Sequence, residues 1–314
     1  DISILKDLGY DVLLSNRIFD SLLFWKYDIL FSYFYRYSFF AALLAKCFGK
    51  KTYFTGGIDS LDSDYASAFN YKIQALFFKL CYWVADSCII VSQSDLKNIF
   101  KVSSLKKKLS YSEHVINTKL FIADVPKEKI FTSIVWMGDE GNVVRKGVDK
   151  ALQIFAELKK IPEFVDYRFV IIGRKGEGEV LVRSIIDKYN LKGSVELKGE
   201  VSEEDKINLL KQSKYYFQLS LYEGFGLAAL EALCANNIII HSGKGGLANP
   251  IYKEQLLFDI DNDFDSELLK LVNKLACFTP ITSYDNLLEY YDIQRRKDDF
   301  EAIIVNGKSN YKLK

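Results

Sequence analysis

A rhythm in the second half of the chain limits its fold more than any other feature. Short runs rich in β-branched and aromatic residues, at 134–137, 167–172, 194–197, 215–219 and 238–241, alternate with longer stretches of helical periodicity. Strand-sized runs separated by helix-sized ones imply crossover connections, which lay the strands parallel in one sheet with helices on its faces. The periodicity predicts helices over 148–160 and 179–189. Ser202 followed by Asp205 resembles a capping box, with Asp in place of Glu, and opens a helix through Ser213. Each strand runs into a loop with Gly or a charge, and open α/β sheets bind ligands at that edge.

The first half repeats the pattern less regularly, with strands expected at 10–15, 28–31, 51–54 and 87–91 and helices over 37–48 and 70–85. At roughly 150 residues per domain, 314 residues suit two α/β domains. The polar, Pro-containing run Asp124, Val125, Pro126, Lys127 and Glu128 marks the link between them. The expected division is 1–125, 126–283 and a polar C-terminal segment, 284–314.

With 42 Lys+Arg against 41 Asp+Glu, the chain has no global field to gather nucleic acid, and no basic stripe interleaved with aromatics. Nucleic acid is therefore not an expected partner. Residues 1–130 nevertheless hold 17 basic and 13 acidic side chains, against 25 and 28 in the remainder. That imbalance suits either a solvated surface or a domain resting on anionic lipid. Cys47, Cys81, Cys88, Cys234 and Cys277 are odd in number, lack a CxxC and sit mostly among apolar neighbours, as reduced cytosolic core residues do. His114 and His241 alone do not make a zinc site, and no metal is expected. Asp28, Arg36 and Lys46 interrupt the longest aromatic-apolar stretch, 27–48, which argues against a membrane span. Residue 1 is Asp and the only methionine is Met137, so a natural start is expected upstream.

The most informative stretch is 220–235. It leaves a strand, turns through Gly224, Phe225 and Gly226, and enters an Ala/Leu-rich helix from Leu227, with Glu223 before the turn and Glu231 inside the helix. Two glycines let backbone approach a ligand, and the N–H groups of a helix's first turn attract an anion. Two carboxylates beside such a site need hydrogen-bond donors, and the hydroxyls of a sugar or ribose supply them. Phosphate with polyol points to a nucleotide sugar.

This segment resembles the Glu-x7-Glu motif of retaining glycosyltransferases of the GT-B fold, family GT4, in which seven residues separate the two glutamates. About 110 residues match in order and spacing, through 169–173, 195–199 and 215–220 upstream and 238–246 downstream. The resemblance implies two Rossmann-like domains facing across a cleft, an acceptor-side one apparently lacking its first strand and a donor-side one, with the C-terminal segment crossing back to the first domain. It implies that Glu231 holds the donor ribose, that Glu223 binds sugar hydroxyls, and that amides of Gly224, Phe225, Gly226 and Leu227 face the sugar and distal phosphate. Gly173 and Arg174, and Lys198 and Gly199, fall at the matching strand ends of the donor domain. Lys146 before Gly147 fits the lysine that neutralises the leaving diphosphate. The family's usual Arg after Gly138 is Asp139 here, and Arg145 is either its substitute or a solvated side chain. On the acceptor side, Gly56 occupies the place of a family His, with Gly57 and Asp59 beside it.

The implied activity is hexosyl transfer with retention, independent of metal, from a nucleotide-diphosphate sugar to a glycan or lipid-linked acceptor. The implied setting is surface polysaccharide synthesis in the cytoplasm or peripherally at the inner face of the membrane. No cofactor is expected beyond the nucleotide sugar as co-substrate. The alternatives are a catalytically silent GT-B protein and a non-hydrolysing nucleotide-sugar epimerase. The Asp-x-Asp strings at 62–64 and 261–263 read as loops, 243–246 as a turn, and Lys106, Lys107 and Lys108 as a solvated run or a membrane contact.

Overall fold

The computed structural model describes residues 1–56, 58–122, 125–278 and 285–307. Gly57, Asp124 and the expected boundary at 283/284 lie outside them. The chain forms two compact units, Asp1–Val115 with Tyr291–Lys314, and Ile116–Tyr290.

The first unit is built on four parallel strands, β1 (Ile29–Tyr33), β2 (Lys51–Thr55), β3 (Ser87–Ile90) and β4 (Leu109–Tyr111), in that order across the sheet. Alternation along the strands divides the core. Phe54, Cys88 and Ile90 face the helices Tyr35–Cys47 and Ala68–Val84, while Tyr53 and Ile89 pack with Ile4, Phe300, Ile303 and Ile304. The C-terminal helix Ile293–Phe300 thus closes the second face of this sheet. Residues 10–15 form no strand, contrary to the sequence pattern; Asp11, Leu13, Leu14 and Ser15 are exposed, so their alternation has no sheet to pack on.

The second unit has six parallel strands: β5 (Glu128–Ile134), β6 (Arg168–Ile172), β7 (Val195–Gly199), β8 (Ser213–Gln218), β9 (Ile238–His241) and β10 (Leu256–Leu257), ordered β10-β9-β8-β5-β6-β7. The first of them lies earlier than the expected 134–137. Val135 and Met137 continue beyond it as extended backbone, their N–H groups donating to Ile172 and Arg174. Phe131 stacks on Tyr215 and Phe217 at 4.6 and 5.1 Å, joining β5 to β8 at the centre. Helix Val148–Leu158 buries Val148, Ala151, Leu152 and Phe155 on this core. The chain runs outward from β5 to β7, then returns past β5 to β8 and continues the other way. That reversal opens a crevice beyond the carboxyl ends of β5 and β8.

Candidate active site

The loops leaving β5 and β8 meet at this reversal. After β5, Asp139 caps the short helix Glu140–Arg145, its Oδ1 accepting from the Asn142 N–H at 2.6 Å. Lys146 ends that helix, and Gly147, at φ +68°, turns the backbone into the next. Only glycine fits there, because a Cβ would stand 2.0 Å from the carbonyl oxygen of Leu219. The Leu221 N–H donates to the Arg145 carbonyl at 2.8 Å, tying the two loops together.

These constraints deliver Lys146 to Glu223. The Lys146 ammonium lies 2.7 and 3.1 Å from the two carboxylate oxygens, with the side chains 21% and 16% exposed. Gln218 Nε2 and Ser220 Oγ also donate to Glu223 Oε2, at 3.1 and 3.0 Å. Three donors on one carboxylate fix its direction. The Glu223 backbone is held from the other side, where Gly246 N–H donates to its carbonyl and a Cβ on Gly245 would lie 2.2 Å from that oxygen. The 243–246 turn is therefore a buttress for the glutamate loop.

Gly226, at φ +89°, starts the helix Leu227–Cys234, with the Tyr252 hydroxyl donating to its carbonyl. Glu231 projects from that helix to Lys206 Nζ at 2.9 Å, and Lys206 also meets Glu203 at 2.8 Å. Burial pushes the Glu231 carboxyl up, against the pull of Lys206. Burial also pulls the Lys206 ammonium down, yet the hydrogen bonds to Glu203 and Glu231 outweigh it and leave its pKa raised. Two carboxylates share one ammonium, so the cluster has carboxylate oxygens to spare for hydroxyl donors.

A model of the family described as glycosyl transferases group 1 matches residues 141–275, which span Lys146, Glu223 and Glu231. The chain is similar to this family over that segment, somewhat less than half of its 314 residues. A GDP-mannose:cellobiosyl-diphosphopolyprenol alpha-mannosyltransferase of Xanthomonas oryzae pv. oryzae is 32% identical over 163 residues, 45% of this chain and 40% of that one. One phosphatidylinositol N-acetylglucosaminyltransferase subunit of Arabidopsis thaliana is 25% identical over 215 residues, 67% of this chain and 46% of that one. The chain thus spans less than half of either relative. Among solved structures, sucrose-phosphate synthase from Thermosynechococcus elongatus superposes with a TM-score of 0.66 at 20% identity, covering 90% of this chain and 72% of that one. The HepE protein of Anabaena, in complex with UDP, gives 0.70 at 12%, covering 91% and 81%. The fold is GT-B.

The other expected residues are distributed unevenly. Gly173, at φ +130°, takes a place where a Cβ would be 2.0 Å from the Val135 carbonyl, and its N–H donates to Gly199, the last residue of β7. Both glycines close strand ends. Arg174 is exposed, and Lys198 is exposed with Glu196 at 3.9 Å. The Arg145 guanidinium is held by Asn142 Oδ1 at 2.7 and 3.2 Å. In the first unit, Gly56, at φ +85°, and Asp59 follow the carboxyl end of β2. The bonds of Gln218 and Ser220 to Glu223, of Lys206 to Glu231, and the Gly245–Gly246 contact with the Glu223 carbonyl are not legible in the sequence, because only the strand order brings these residues together. Both Asp-x-Asp strings are structural. Asp62 accepts from Asp64 and Tyr65 N–H groups, and Asp263 caps the helix Phe264–Cys277. Lys108 is no solvated residue, since its ammonium donates to the carbonyls of Tyr82 and Trp83 at 3.2 and 2.8 Å.

Proposed function

We propose that this chain is a retaining hexosyltransferase that moves a sugar from a nucleotide-diphosphate donor to the hydroxyl of a lipid-linked or glycan acceptor, in surface polysaccharide synthesis. The observation that carries the reading is the Lys146–Glu223 pair at the point where the strand order reverses, beside the glycine-started helix that bears Glu231. A cation, a fixed carboxylate and a helix N-terminus within one crevice match a pyrophosphate with a polyol at each end. Glu231 and the Lys206 cluster take the ribose hydroxyls, and Glu223 takes hydroxyls of the transferred sugar. The names of two relatives join a sugar to a diphosphopolyprenol and to phosphatidylinositol, and both support a lipid acceptor here.

In the proposed step the bond from the anomeric carbon to the diphosphate oxygen breaks, and its electron pair leaves with the diphosphate. Lys146, held beside Glu223, neutralises that charge without a metal. The acceptor oxygen bonds to the same face of the anomeric carbon and passes its proton to the departing phosphate oxygen. The amide N–H groups from Phe225 to Leu227 meet the distal phosphate. Gly56 and Asp59 lie on the acceptor side.

The test is turnover of UDP-, GDP- and ADP-hexoses by the full chain with lipid-linked acceptors, with the anomeric configuration of the product read by NMR. Retention is expected, and Glu223→Gln or Lys146→Ala should lower turnover by about 10²–10³-fold. Nucleotide binding without turnover across donors and acceptors would transfer the case to the catalytically silent reading. An inverted product would remove the same-face step.

A further inference from the structure

The helix Ala68–Val84 buries Gln74, Phe78, Cys81 and Tyr82 against the first unit's sheet. Its opposite side has an unusual composition. Phe69, Lys72, Leu76, Lys79 and Trp83 recur every three or four residues, so they form one stripe. All five are exposed, Phe69 at 71%, Leu76 at 55% and Trp83 at 72%. The stripe is about 21 Å long at 1.5 Å per residue. The 17-residue helix has no Asp or Glu. Neither lysine takes part in an ion pair among the described residues. The adjoining helix Tyr35–Cys47 also has no acidic residue, and it exposes Tyr37 and Phe40. Lys108 holds the last turn of the striped helix by its bonds to Tyr82 and Trp83.

From this we infer that the stripe Phe69-Lys72-Leu76-Lys79-Trp83 is a docking face for an anionic lipid bilayer. Apolar side chains alternating with lysine along one solvent-facing line suit the boundary between headgroups and acyl chains. The rings and Leu76 enter the boundary while the lysine stems lie flat and their ammonium groups reach the phosphates. A second copy fits poorly. Stripe against stripe, in either direction, sets lysine opposite lysine. The core of a protein interface is also depleted of lysine. No helix among the described residues is long and apolar enough to cross a membrane, so the contact is one of surface. The inference deepens the lipid-acceptor reading above, yet vesicle binding and sugar transfer are measured separately, and either can fail alone.

The experiment is co-sedimentation of the full chain with vesicles of phosphatidylcholine alone or with one-third phosphatidylglycerol. Binding is expected only to the anionic vesicles and should weaken as salt rises. Lys72→Gln with Lys79→Gln should lower the partition by about 25-fold, fivefold per lysine. Phe69→Ser with Trp83→Ser should remove binding without altering the far-UV spectrum. With Trp25 and Trp136 changed to Phe, Trp83 emission should shift blue and be quenched by brominated acyl chains. Equal partition of the double-glutamine variant and the wild type would overturn the inference. So would unquenched Trp83 on bound protein, or a concentration-dependent dimer that binds no vesicle and is broken by the same substitutions.

Discussion

Asp139 stands where the family's pattern has an arginine, and its side chain accepts from the N–H of Asn142 as the cap of a short helix. The substitution is thus tied to local backbone, and the same Asn142 binds Arg145 through its own carbonyl oxygen. Residue-scale chemistry also sets how the second unit responds to acid. His241 ends β9 beside Gln218 of β8, and its Nε2 meets the Tyr252 carbonyl at 3.2 Å. Burial, the largest cause, pulls its pKa from 6.5 to about 4, with the Tyr252 bond opposing and the Lys274 charge assisting. A depressed folded pKa favours the neutral ring. The associated stability is present above pH 6.5 and is lost as pH falls through about 4, amounting to about 3 kcal/mol at most. His241→Gln keeps a donor near Tyr252 but cannot titrate. Its urea midpoint should fall less between pH 7 and pH 4.5 than that of the wild type, and equal falls would exclude His241 as the source. His114, pulled down to about 3 by burial and by the charge of Arg296, adds an acid response of its own in the first unit.

Elements are legible in the sequence where burial is two-sided and the run is long. Strand β9, four consecutive buried residues, matches its sequence pattern residue for residue, and β6 and β8 differ only at their ends. Strands β4 and β10, with three and two residues, are too short for any periodicity to show, and their pairing partners supply the order. Lys127 reads in sequence as part of a polar link. In the fold its ammonium donates to the carbonyls of Leu210, Lys211 and Ala235, stitching the ends of two helices that lie more than 80 residues downstream. Burial lowers its pKa to about 8. Which glycines the fold requires depends on neighbouring backbone. Gly147 and Gly193 have similar φ values, +68° and +83°, yet a Cβ on the first meets the Leu219 carbonyl at 2.0 Å and one on the second meets nothing within 4 Å. Gly193→Ala should therefore cost only the left-handed penalty of about 1–2 kcal/mol. Gly147→Ala should cost clearly more and displace Lys146 from Glu223. Denaturant midpoints for the two variants decide it, and equal losses would show that the Leu219 contact does not constrain the loop.

On the scale of the whole molecule, the chain finishes the first unit with residues that come after the second. Arg296 is fully buried and binds Asp1 through Nε and Nη2 at 2.6 and 2.9 Å, while Nη1 donates to the Glu113 carbonyl at 3.1 Å. Burial pulls the guanidinium down to about 10, so it stays charged at neutral pH, and this ring of acceptors compensates the buried charge. Phe300, Ile303 and Ile304 cover Tyr53 and Ile89 on the sheet face that no earlier helix protects, apart from the short Ile2–Asp7. At about 1.5–3 kcal/mol for each buried side chain, these three contribute about 5–9 kcal/mol, comparable with the net stability of an entire domain. A chain ending at Tyr290 should therefore keep the second unit folded and lose the first. In hydrogen exchange, amides of β5, β6 and β8 should stay protected while those of β1 to β3 exchange freely. The second unit's main core cluster is drawn from residues 131–278, outside the removed segment. Retained protection of β2 and β3 in the shortened chain would mean that Ile4 and its neighbours suffice to cover that face, and that the returning helix is an accessory to the first unit.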